Sequence, residues 1–449
     1  MQKTAIIIGA GLVGSLWAVY LSKAGYKVTI YERRPDIRKA DISAGKSINL
    51  AMSYRGWTAL ETVGVADDVR KIAIAMPGRI MHDLDGKQNF QPYGKEGQAI
   101  FSVSRGGLNA KMMDIAEARG GAVIHYHHKC VDVDLENGVA YFEHTETGEK
   151  ISAKADVIFA TDGAFSAARY NAFQKLDRFQ YSQHYIEDGY KELLLQANAD
   201  GSYKLEKNAL HIWPRGRFML IALANEDGSF TCTLFMPFEG EKSFSALKTN
   251  EDIQHFFKTT FPDFYDICPN LLETWHANPL SSLAIIRCFP WTKGKVALMG
   301  DAAHATVPFY GQGMNAGFED CSVMYDLMKK HDENWPAIFK EYEILRKPDG
   351  DAVQDLSVEN YFVMRDFVAD PKFLLQKKIE AHFSKLHPDK WIPLYTQVSF
   401  TNTRYSDAYK NGKRQDEIMR RVMDRPDIEK VWDSKEVEEE ILKLVNSLN

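Results

Sequence analysis

The chain has 449 residues, of which 45% are hydrophobic and 26% are charged, and its formal net charge is −6. This length suggests two or three domains, and the composition is ordinary for a soluble globular protein. Charges of both signs are interspersed, which excludes a basic nucleic-acid-binding surface.

The N-terminus has the order strand, turn, helix and strand. Residues 5–8 (AIII) are a continuous apolar run, as expected of a strand that is buried on both faces. After a glycine-rich turn, residues 12–24 have helical character, and Gly25 ends them. Residues 27–31 (KVTIY) form a second strand with Glu32 at its end. This order predicts a βαβ unit that opens an α/β domain.

The glycine-rich turn carries a phosphate-binding pattern. Gly9, Gly11 and Gly14 form a G-x-G-x-x-G sequence, whose glycines let the backbone approach a pyrophosphate at the helix N-terminus. Glu32 follows Gly14 by 18 residues and is placed to accept from a ribose hydroxyl. The unit therefore predicts dinucleotide binding, but it does not separate NAD from FAD.

The middle of the chain predicts a second domain. Several runs between about residues 185 and 240 have strand character, and their turn-like separators predict an antiparallel sheet. The runs are residues 190–197, 209–214, 218–225 and 229–237. Residues 295–299 (KVALM) then form another buried strand, followed by Gly300 and Asp301. The first domain is therefore predicted to be discontinuous, with the sheet domain inserted.

The pattern from Asn334 to the end is helical, and four prolines are predicted to interrupt it. These are Pro348, Pro371, Pro388 and Pro393. The histidines between residues 123 and 133 lie in a predicted strand and lack carboxylate or cysteine partners at ligand spacing, so we predict no metal site.

The five cysteines form no C-x-x-C pair, which argues against a disulfide framework and favours a reducing compartment.

Residues 4–21 are uncharged, but regularly spaced glycines favour a soluble unit over a signal peptide or membrane span. The sequence from Ser434 is too charged and too short for an anchor. We therefore expect a cytoplasmic protein without a C-terminal membrane anchor.

Two further segments have a functional and a plain structural interpretation. Residues 300–315 (GDAAHATVPFYGQGMN) place Gly311 and Gly313 before a helical stretch, whose N-terminus can face the anionic edge of a reduced flavin. An ordinary strand–loop–helix connection explains the same pattern. Residues 162–169 (DGAFSAAR) follow a predicted strand, and the alternative there is a turn with a helix cap.

In order and spacing, these three motifs resemble the FAD-dependent aromatic hydroxylases. The resemblance implies that Glu32 binds the adenosine ribose, that Arg105 and Asp301 contact the ribityl–pyrophosphate region, and that the later glycine loop lines the isoalloxazine. Asp162 belongs to a motif associated with both FAD and NAD(P)H. The implied cofactor-binding residues are Gly9, Gly11, Gly14, Glu32, Arg33, Arg105, Asp162, Asp301, Gly311, Gly313, Met314 and Asn315.

Stretches over nearly the whole chain further resemble the kynurenine 3-monooxygenases. They are residues 31–38, 45–56, 77–83, 91–94, 189–193, 208–216, 307–315, 359–364 and 392–400. The resemblance implies that L-kynurenine is hydroxylated to 3-hydroxykynurenine with O₂ through a flavin C4a-hydroperoxide, as a step of tryptophan catabolism. FAD is the implied cofactor, and NADPH is a transient cosubstrate because a single dinucleotide fold is recognisable.

The same resemblance implies a substrate site. Arg79 and Tyr93 match positions that bind the substrate carboxylate, and Asn360 and Tyr395 match positions at the amino-acid end. The positions around the ring are Ile221, Leu223, Phe235, Pro308, Phe309 and Met364. Without the resemblance, an arginine is usually a solvated surface residue, and Ile221, Leu223 and Phe235 are interpreted as core residues of the sheet. Tyr310 is a departure, because bacterial relatives carry histidine there.

The fold class that follows is α/β: a discontinuous, doubly wound Rossmann-like FAD-binding domain, an inserted antiparallel-sheet substrate domain and a C-terminal helical region. The FAD-binding ranges are 1–75, 98–177 and 290–365, the substrate ranges 76–97 and 178–289, and the helical region 366–449.

Two other functions remain open on the sequence alone. A hydroxylase of a phenol or hydroxybenzoate also needs an anion partner such as Arg79. A weakly catalytic flavoprotein that binds partners through its amphipathic C-terminal region is the second alternative. We expect no obligate protein partner, and the oligomeric state is not predicted.

Overall fold

A computed structural model describes residues 2–39, 48–367 and 370–447. Residues 45–47, which begin one of the family-like stretches, lie outside the described residues. The strands are β1 (Thr4–Ile8), β2 (Lys27–Tyr31), β3 (Leu50–Met52), β4 (Ile74–Met76), β5 (Gly78–His82), β6 (Gln88–Pro92), β7 (Ile100–Val103), β8 (Val123–His125), β9 (His128–Asp134), β10 (Val139–His144), β11 (Lys150–Lys154), β12 (Val157–Ala160), β13 (Gln180–Leu195), β14 (Ala209–Pro214), β15 (Met219–Ala224), β16 (Phe230–Pro237), β17 (Leu280–Phe289), β18 (Thr292–Lys293) and β19 (Val296–Leu298).

The helices are α1 (Leu12–Lys23), α2 (Tyr54–Thr62), α3 (Ala66–Arg70), α4 (Arg105–Ala118), α5 (Ala167–Asn171), α6 (Asn250–Thr260), α7 (Pro262–Ile267), α8 (Leu271–Ala277), α9 (Asp301–His304), α10 (Gly313–Lys330), α11 (Trp335–Phe362), α12 (Pro371–Leu386), α13 (Leu394–Phe400), α14 (Tyr405–Met423), α15 (Ile428–Val431) and α16 (Lys435–Ser447). A 3₁₀ turn at Pro308–Tyr310 precedes α10, and a π-helical turn at Val363–Phe367 follows α11.

A six-stranded sheet in the order β18-β19-β12-β1-β2-β8 forms the first layer. Strands β19, β12, β1, β2 and β8 run parallel, and β18 is antiparallel to β19. Strand β1 is buried within the first layer, with Ile7 fully inaccessible, and its core includes helix α1 and Phe142 of the three-stranded sheet β11-β10-β9, which is why its sequence is continuously apolar. Helix α1 packs against α4 and α10. The prediction of a doubly wound α/β fold is therefore confirmed.

A seven-stranded sheet in the order β17-β13-β16-β15-β14-β5-β6 forms the second layer. Strands β14, β15 and β16 form the predicted antiparallel run. The sheet is mixed rather than wholly antiparallel, because β5 pairs with β14 in parallel. Strand β5 enters from a segment more than 100 residues earlier, so no hairpin fixes its direction. The exact domain boundaries stay a prediction.

The two faces of this sheet have different neighbours. Alternation along β14 directs Leu210 and Ile212 toward a cavity, whereas Trp213 packs into an apolar cluster with Phe257 and Phe264 from helices α6 and α7. The helices therefore close one face and leave the other as a wall of the cavity.

The prediction that Pro348 interrupts the helical region is wrong. Pro348 lies inside the 28-residue helix α11. Its missing N–H leaves the carbonyl of Ile344 without a helical donor, and the guanidinium of Arg404 binds the carbonyl of the adjacent Leu345. Packing of α11 against α10 and α14 outweighs the local preference.

The strand predicted over residues 123–133 is two strands, β8 and β9. His127 lies between them with a φ of 61°, in the left-handed region, so the chain turns there. Among the described residues, none of the helices is both long and apolar enough to cross a lipid bilayer.

Candidate active site

A cavity of about 750 Å³ opens between the parallel sheet, the seven-stranded sheet and the C-terminal helices. Most of the residues that the sequence predicts for cofactor and substrate line it. The cofactor residues on its wall are Gly11, Arg105, Asp301, Gly311, Gly313 and Met314. All predicted substrate residues are also on its wall. The predicted Gly9, Gly14, Glu32, Arg33, Asp162 and Asn315 are not.

The N-terminal glycines have two different tasks. A Cβ atom on Gly14 would come within 2.2 Å of the Gly9 carbonyl oxygen, and one on Gly9, whose φ is 99°, within 2.9 Å of the Thr161 oxygen. Both glycines therefore allow close packing of the turn. Gly11 has open space where a Cβ would be, and it begins α1 at the cavity wall. Free N–H groups at this end of the helix fit a pyrophosphate.

Glu32 ends β2 beside this turn. Its carboxylate accepts from the Ala10 N–H at 2.8 Å and from Nε of Arg34 at 2.9 Å. Burial alone would raise the pKa of Glu32, but the hydrogen bonds and charge of Arg34 lower it overall. The charged carboxylate lies behind Arg34, which is on the cavity wall, whereas Arg33 is exposed and off it.

Asn315 shapes the second glycine-rich loop without lining the cavity. Its amide nitrogen donates to the carbonyls of Ala51 and Gly311, each at 2.8 Å, and its oxygen accepts from the Ser53 N–H at 2.9 Å. A Cβ on Gly311, whose φ is 67°, would come within 2.9 Å of Ala51. The loop is thereby fixed against β3 and α2, with the N-terminus of α10 at the cavity.

In the segment from Asp162 to Arg169, Gly163 lines the cavity, whereas Asp162 and Arg169 support the neighbouring turns. The Asp162 carboxylate accepts from the N–H of Ala167 at 2.7 Å and caps α5. Arg169 donates to the carbonyl of Ala302 at 2.7 Å and to that of Ala164 at 2.6 Å. These bonds tie the segment to the Gly300–Asp301 turn, so a direct cofactor contact by Asp162 stays a prediction.

Three tyrosine rings stack at one end of the cavity. The rings of Tyr93 and Tyr395 are 5.1 Å apart at 15°, and those of Tyr395 and Tyr310 are 5.6 Å apart at 20°. Burial raises the pKa of all three phenols, that of Tyr395 to about 12, so they are neutral at pH 7. The Arg79 charge acts on both Tyr93 and Tyr395, which places a cation at this end.

The polar contacts at this end are few. Nε of Arg79 donates to the side-chain oxygen of Gln91 at 3.0 Å, and the Asn360 amide donates to the Phe309 carbonyl at 2.7 Å. Arg79 retains further N–H donors, which suit a carboxylate.

The remaining wall is apolar. Ile221 and Leu223 alternate on β15 toward the cavity, and the rings of Phe235 and Phe309 are 4.9 Å apart. Met364 lies on the π-helical turn after α11 and completes this wall. The arrangement can hold a flat aromatic ring and exclude water beside the second glycine-rich loop.

Sequence reasoning missed a buried ion network behind this loop. Asp320 accepts from the Gly300 N–H at 2.9 Å and lies 2.6 Å from Nε2 of His304 and 2.8 Å from Nε of Arg346. Burial raises the pKa of Asp320, but His304 and Arg346 lower it to about 2 overall. Asp320 is separated from these partners by up to 26 residues along the sequence, so no local sequence pattern indicates the network.

These features fit FAD: a helix N-terminus with open space for phosphate, a charged acid at the end of β2, and a second helix N-terminus near an aromatic slot. Within the three described ranges, no cluster of three or more His, Cys, Asp or Glu residues is arranged to hold a metal ion.

Comparison with known proteins agrees with this geometry. A family described as FAD binding domain matches residues 2–357. The chain is 52% identical over 440 residues to kynurenine 3-monooxygenase of Flavobacterium johnsoniae, covering 98% of each chain. It is 44% identical to that of Myxococcus xanthus, covering 93% of this chain and 90% of the other. The fold is similar to solved 2-methyl-3-hydroxypyridine-5-carboxylic acid oxygenase, with a TM-score of 0.67 at 20% identity, over 82% of this chain and 94% of the other.

Proposed function

The chain belongs to the kynurenine 3-monooxygenase family of FAD-binding hydroxylases, and from this premise we propose that it converts L-kynurenine to 3-hydroxykynurenine with NADPH and O₂. The observation that carries the proposal is one cavity whose wall combines Arg79 and three stacked tyrosines with an apolar slot beside the flavin-facing loop. L-Kynurenine has a matching division into a charged amino acid and an aminophenyl ketone.

The amino-acid end is held by polar groups. Arg79 pairs with the substrate carboxylate through its free N–H donors, and the neutral phenols of Tyr93 and Tyr395 offer hydroxyl partners. The oxygen of the Asn360 side chain accepts from the substrate ammonium, since its nitrogen is already bonded to the Phe309 carbonyl. These contacts fix the distance of the aromatic ring from the flavin-facing loop.

The chain's own residues provide binding and exclusion of water. Bound FAD supplies the redox chemistry, accepting a hydride from NADPH and activating O₂ for ring hydroxylation. The α1 N-terminus at Gly11 would hold its pyrophosphate, and the α10 N-terminus at Gly313 would stabilise negative charge on its ring. Phe235, Phe309 and Met364 exclude water from the ring slot, which limits the loss of activated oxygen as hydrogen peroxide.

Product analysis tests this function. The protein loaded with FAD is incubated with NADPH, O₂ and L-kynurenine, and 3-hydroxykynurenine is expected by chromatography. Phenol and 4-hydroxybenzoate serve as controls and should stimulate NADPH oxidation little. Peroxide formation without 3-hydroxykynurenine would contradict the proposal and leave FAD binding intact.

A cytoplasmic location belongs to this proposal as well. Its support is that all five cysteines are buried free thiols, as is usual in a reducing compartment. Activity as a single chain without an obligate protein partner is also proposed, and it is tested by the same assay on purified protein.

A further inference from the structure

Arg55 is a buried cation outside the cavity that binds the C-terminal helical region. It lies in the first turn of α2, and its side chain is 0% exposed. Its Nε donates to the Val398 carbonyl at 3.1 Å, and one terminal nitrogen donates to the carbonyls of Gln397, at 3.4 Å, and Thr403. One guanidinium therefore gathers three carbonyls at the end of α13 and just after it.

The opposite side of Arg55 is fixed in the FAD-binding layers. Its second terminal nitrogen lies 2.7 Å from the Glu319 carboxylate, whose other oxygen lies 2.6 Å from Arg346. On the side of the C-terminal helical region, the centroid of the Tyr405 ring in α14 lies 3.9 Å from the guanidinium carbon. A buried charge needs such partners, and together they allow Arg55 one position. Helix α2 is itself held by the bond from Ser53 to Asn315.

The helix that Arg55 holds carries a wall residue of the cavity. Helix α13 has seven residues, about 10 Å of length, and Tyr395 lies in its first turn between the rings of Tyr93 and Tyr310. Carbonyls at a helix C-terminus lack intrahelical donors and attract cations. The short helix is thus fixed at one end by Arg55 and at the other by the stacked rings.

We propose that Arg55 is a positioning residue for substrate binding, which holds the C-terminal end of α13 and thereby sets the place of Tyr395 at the cavity. The inference rests on the proposed function, because it gives Tyr395 its task at the amino-acid end of the substrate. Arg55 does not line the cavity, and of the elements that it holds, α13 carries the substrate-site residue Tyr395. Its other neighbour Tyr405 donates to Gln312 of the flavin-facing loop at 2.8 Å, so an effect by that route would change FAD affinity.

The variant Arg55→Met tests the proposal, because it removes the charge and keeps a long apolar stem. FAD affinity, measured by flavin fluorescence on titrating apoprotein, should stay within about threefold of wild type, since Glu319 keeps Arg346. The kynurenine Kd and KM should rise about tenfold or more, the scale of losing charged hydrogen bonds, while kcat at saturating kynurenine changes less. Arg55→Lys keeps a cation, so its kynurenine Kd and KM should lie between those of wild type and those of Arg55→Met.

The matched control is Arg119→Met. Arg119 also binds a carbonyl, that of Gly64 at 2.8 Å, and a carboxylate, that of Asp68, but it touches only FAD-binding layers. Its kynurenine KM should equal that of wild type.

The rate of limited proteolysis between residues 391 and 405, measured in the absence of kynurenine, shows how firmly α13 is packed. Cleavage in this segment should be faster than in wild type only in the Arg55 variants. If wild type does not hydroxylate kynurenine, the proposed function fails; if it does and Arg55→Met keeps the wild-type KM, this inference fails. A lower kcat or less folded protein at unchanged KM means a purely structural role and overturns it. If Arg55→Met does not fold, a wild-type kynurenine KM in Arg55→Lys overturns the inference.

Discussion

Arg79 is the cation on the cavity wall whose charge reaches two of the stacked tyrosines, Tyr93 and Tyr395. Replacing it with alanine removes the partner of the substrate carboxylate. A charged hydrogen bond contributes about 1.5–3 kcal/mol, so the kynurenine Kd should rise about 10- to 150-fold, with FAD content unchanged. Titration with kynurenine measures it. Arg217→Ala is a control in the turn between β14 and β15 of the same sheet, outside the cavity, and equal kynurenine affinities in the two variants would remove Arg79 from the site.

Tyr310 lies on the cavity wall, at a position where the family resemblance implies histidine in bacterial relatives. Burial holds the pKa of its phenol well above the usual value, so residue 310 carries no charge near neutrality. Tyr310→Phe keeps the stacked ring and should leave the pH profile of kcat/KM unchanged from pH 6 to 9. Tyr310→His introduces an imidazole with an ordinary pKa of about 6.5, and a new inflection below neutrality is expected. An inflection that Tyr310→Phe abolishes would show that the phenol titrates.

The sequence predicts many of the residues that meet at the cavity, and their functional roles stay predictions. The glycines of the first turn and the loop around Gly311 were located by spacing, and most of the predicted wall residues were located by family resemblance. Arg55 was missed because its partners are more than 250 residues away and its neighbours in sequence give no periodic signal. Asp162 was placed in a motif, but its backbone capping role needs coordinates.

At the element scale, β5, β14 and α7 are joined by a buried polar chain. His82 lies 2.8 Å from the Asp263 carboxylate and 2.9 Å from Nδ1 of His211, whose Nε2 lies 2.8 Å from the Glu206 carbonyl. Trp213 donates to the same carboxylate at 2.9 Å. The chain links the parallel pair β5–β14 to the helices behind the sheet.

This chain of contacts predicts acid sensitivity. Burial lowers the pKa of His211 to about 4 from 6.5, so the unfolded chain binds a proton that the folded protein does not. The neutral buried His211 therefore stabilises the folded state fully above pH 6.5, and this stabilisation is lost as pH falls from 6.5 toward 4. At 1.36 kcal/mol per pKa unit, the free energy of unfolding should decrease by about 3 kcal/mol over that range. Urea unfolding at pH 7.5, 5.5 and 4.5 measures it. In His211→Gln, which cannot titrate, the free energy of unfolding should fall less, and an identical fall would contradict the assignment.

Elements were predictable where the hydrophobic period was strong. Strand β2 has the predicted bounds because Lys27 to Tyr31 is bracketed by turn signals. The direction of β5 and the continuity of α11 through Pro348 were not predictable, since both depend on long-range packing that local preference does not encode.

At the scale of the whole molecule, the cavity wall takes residues from the Rossmann-like layers, the seven-stranded sheet and α13, so a ligand that fills it joins three parts of the chain. FAD held as proposed would reach from the Glu32 end to the loop at Gly311, and a ligand that binds only the folded state stabilises that state by mass action. At an FAD concentration of 100 times its Kd, the free energy of unfolding increases by about 2.7 kcal/mol.

The urea midpoint of the FAD-loaded protein should therefore exceed that of apoprotein, with one transition followed by both tryptophan fluorescence and circular dichroism. FMN lacks the adenosine that the Glu32 end would hold, so at equal concentration it should raise the midpoint less. Equal midpoints with FAD and without it, or equal effects of FAD and FMN, would show that the cavity does not bind the dinucleotide along its length.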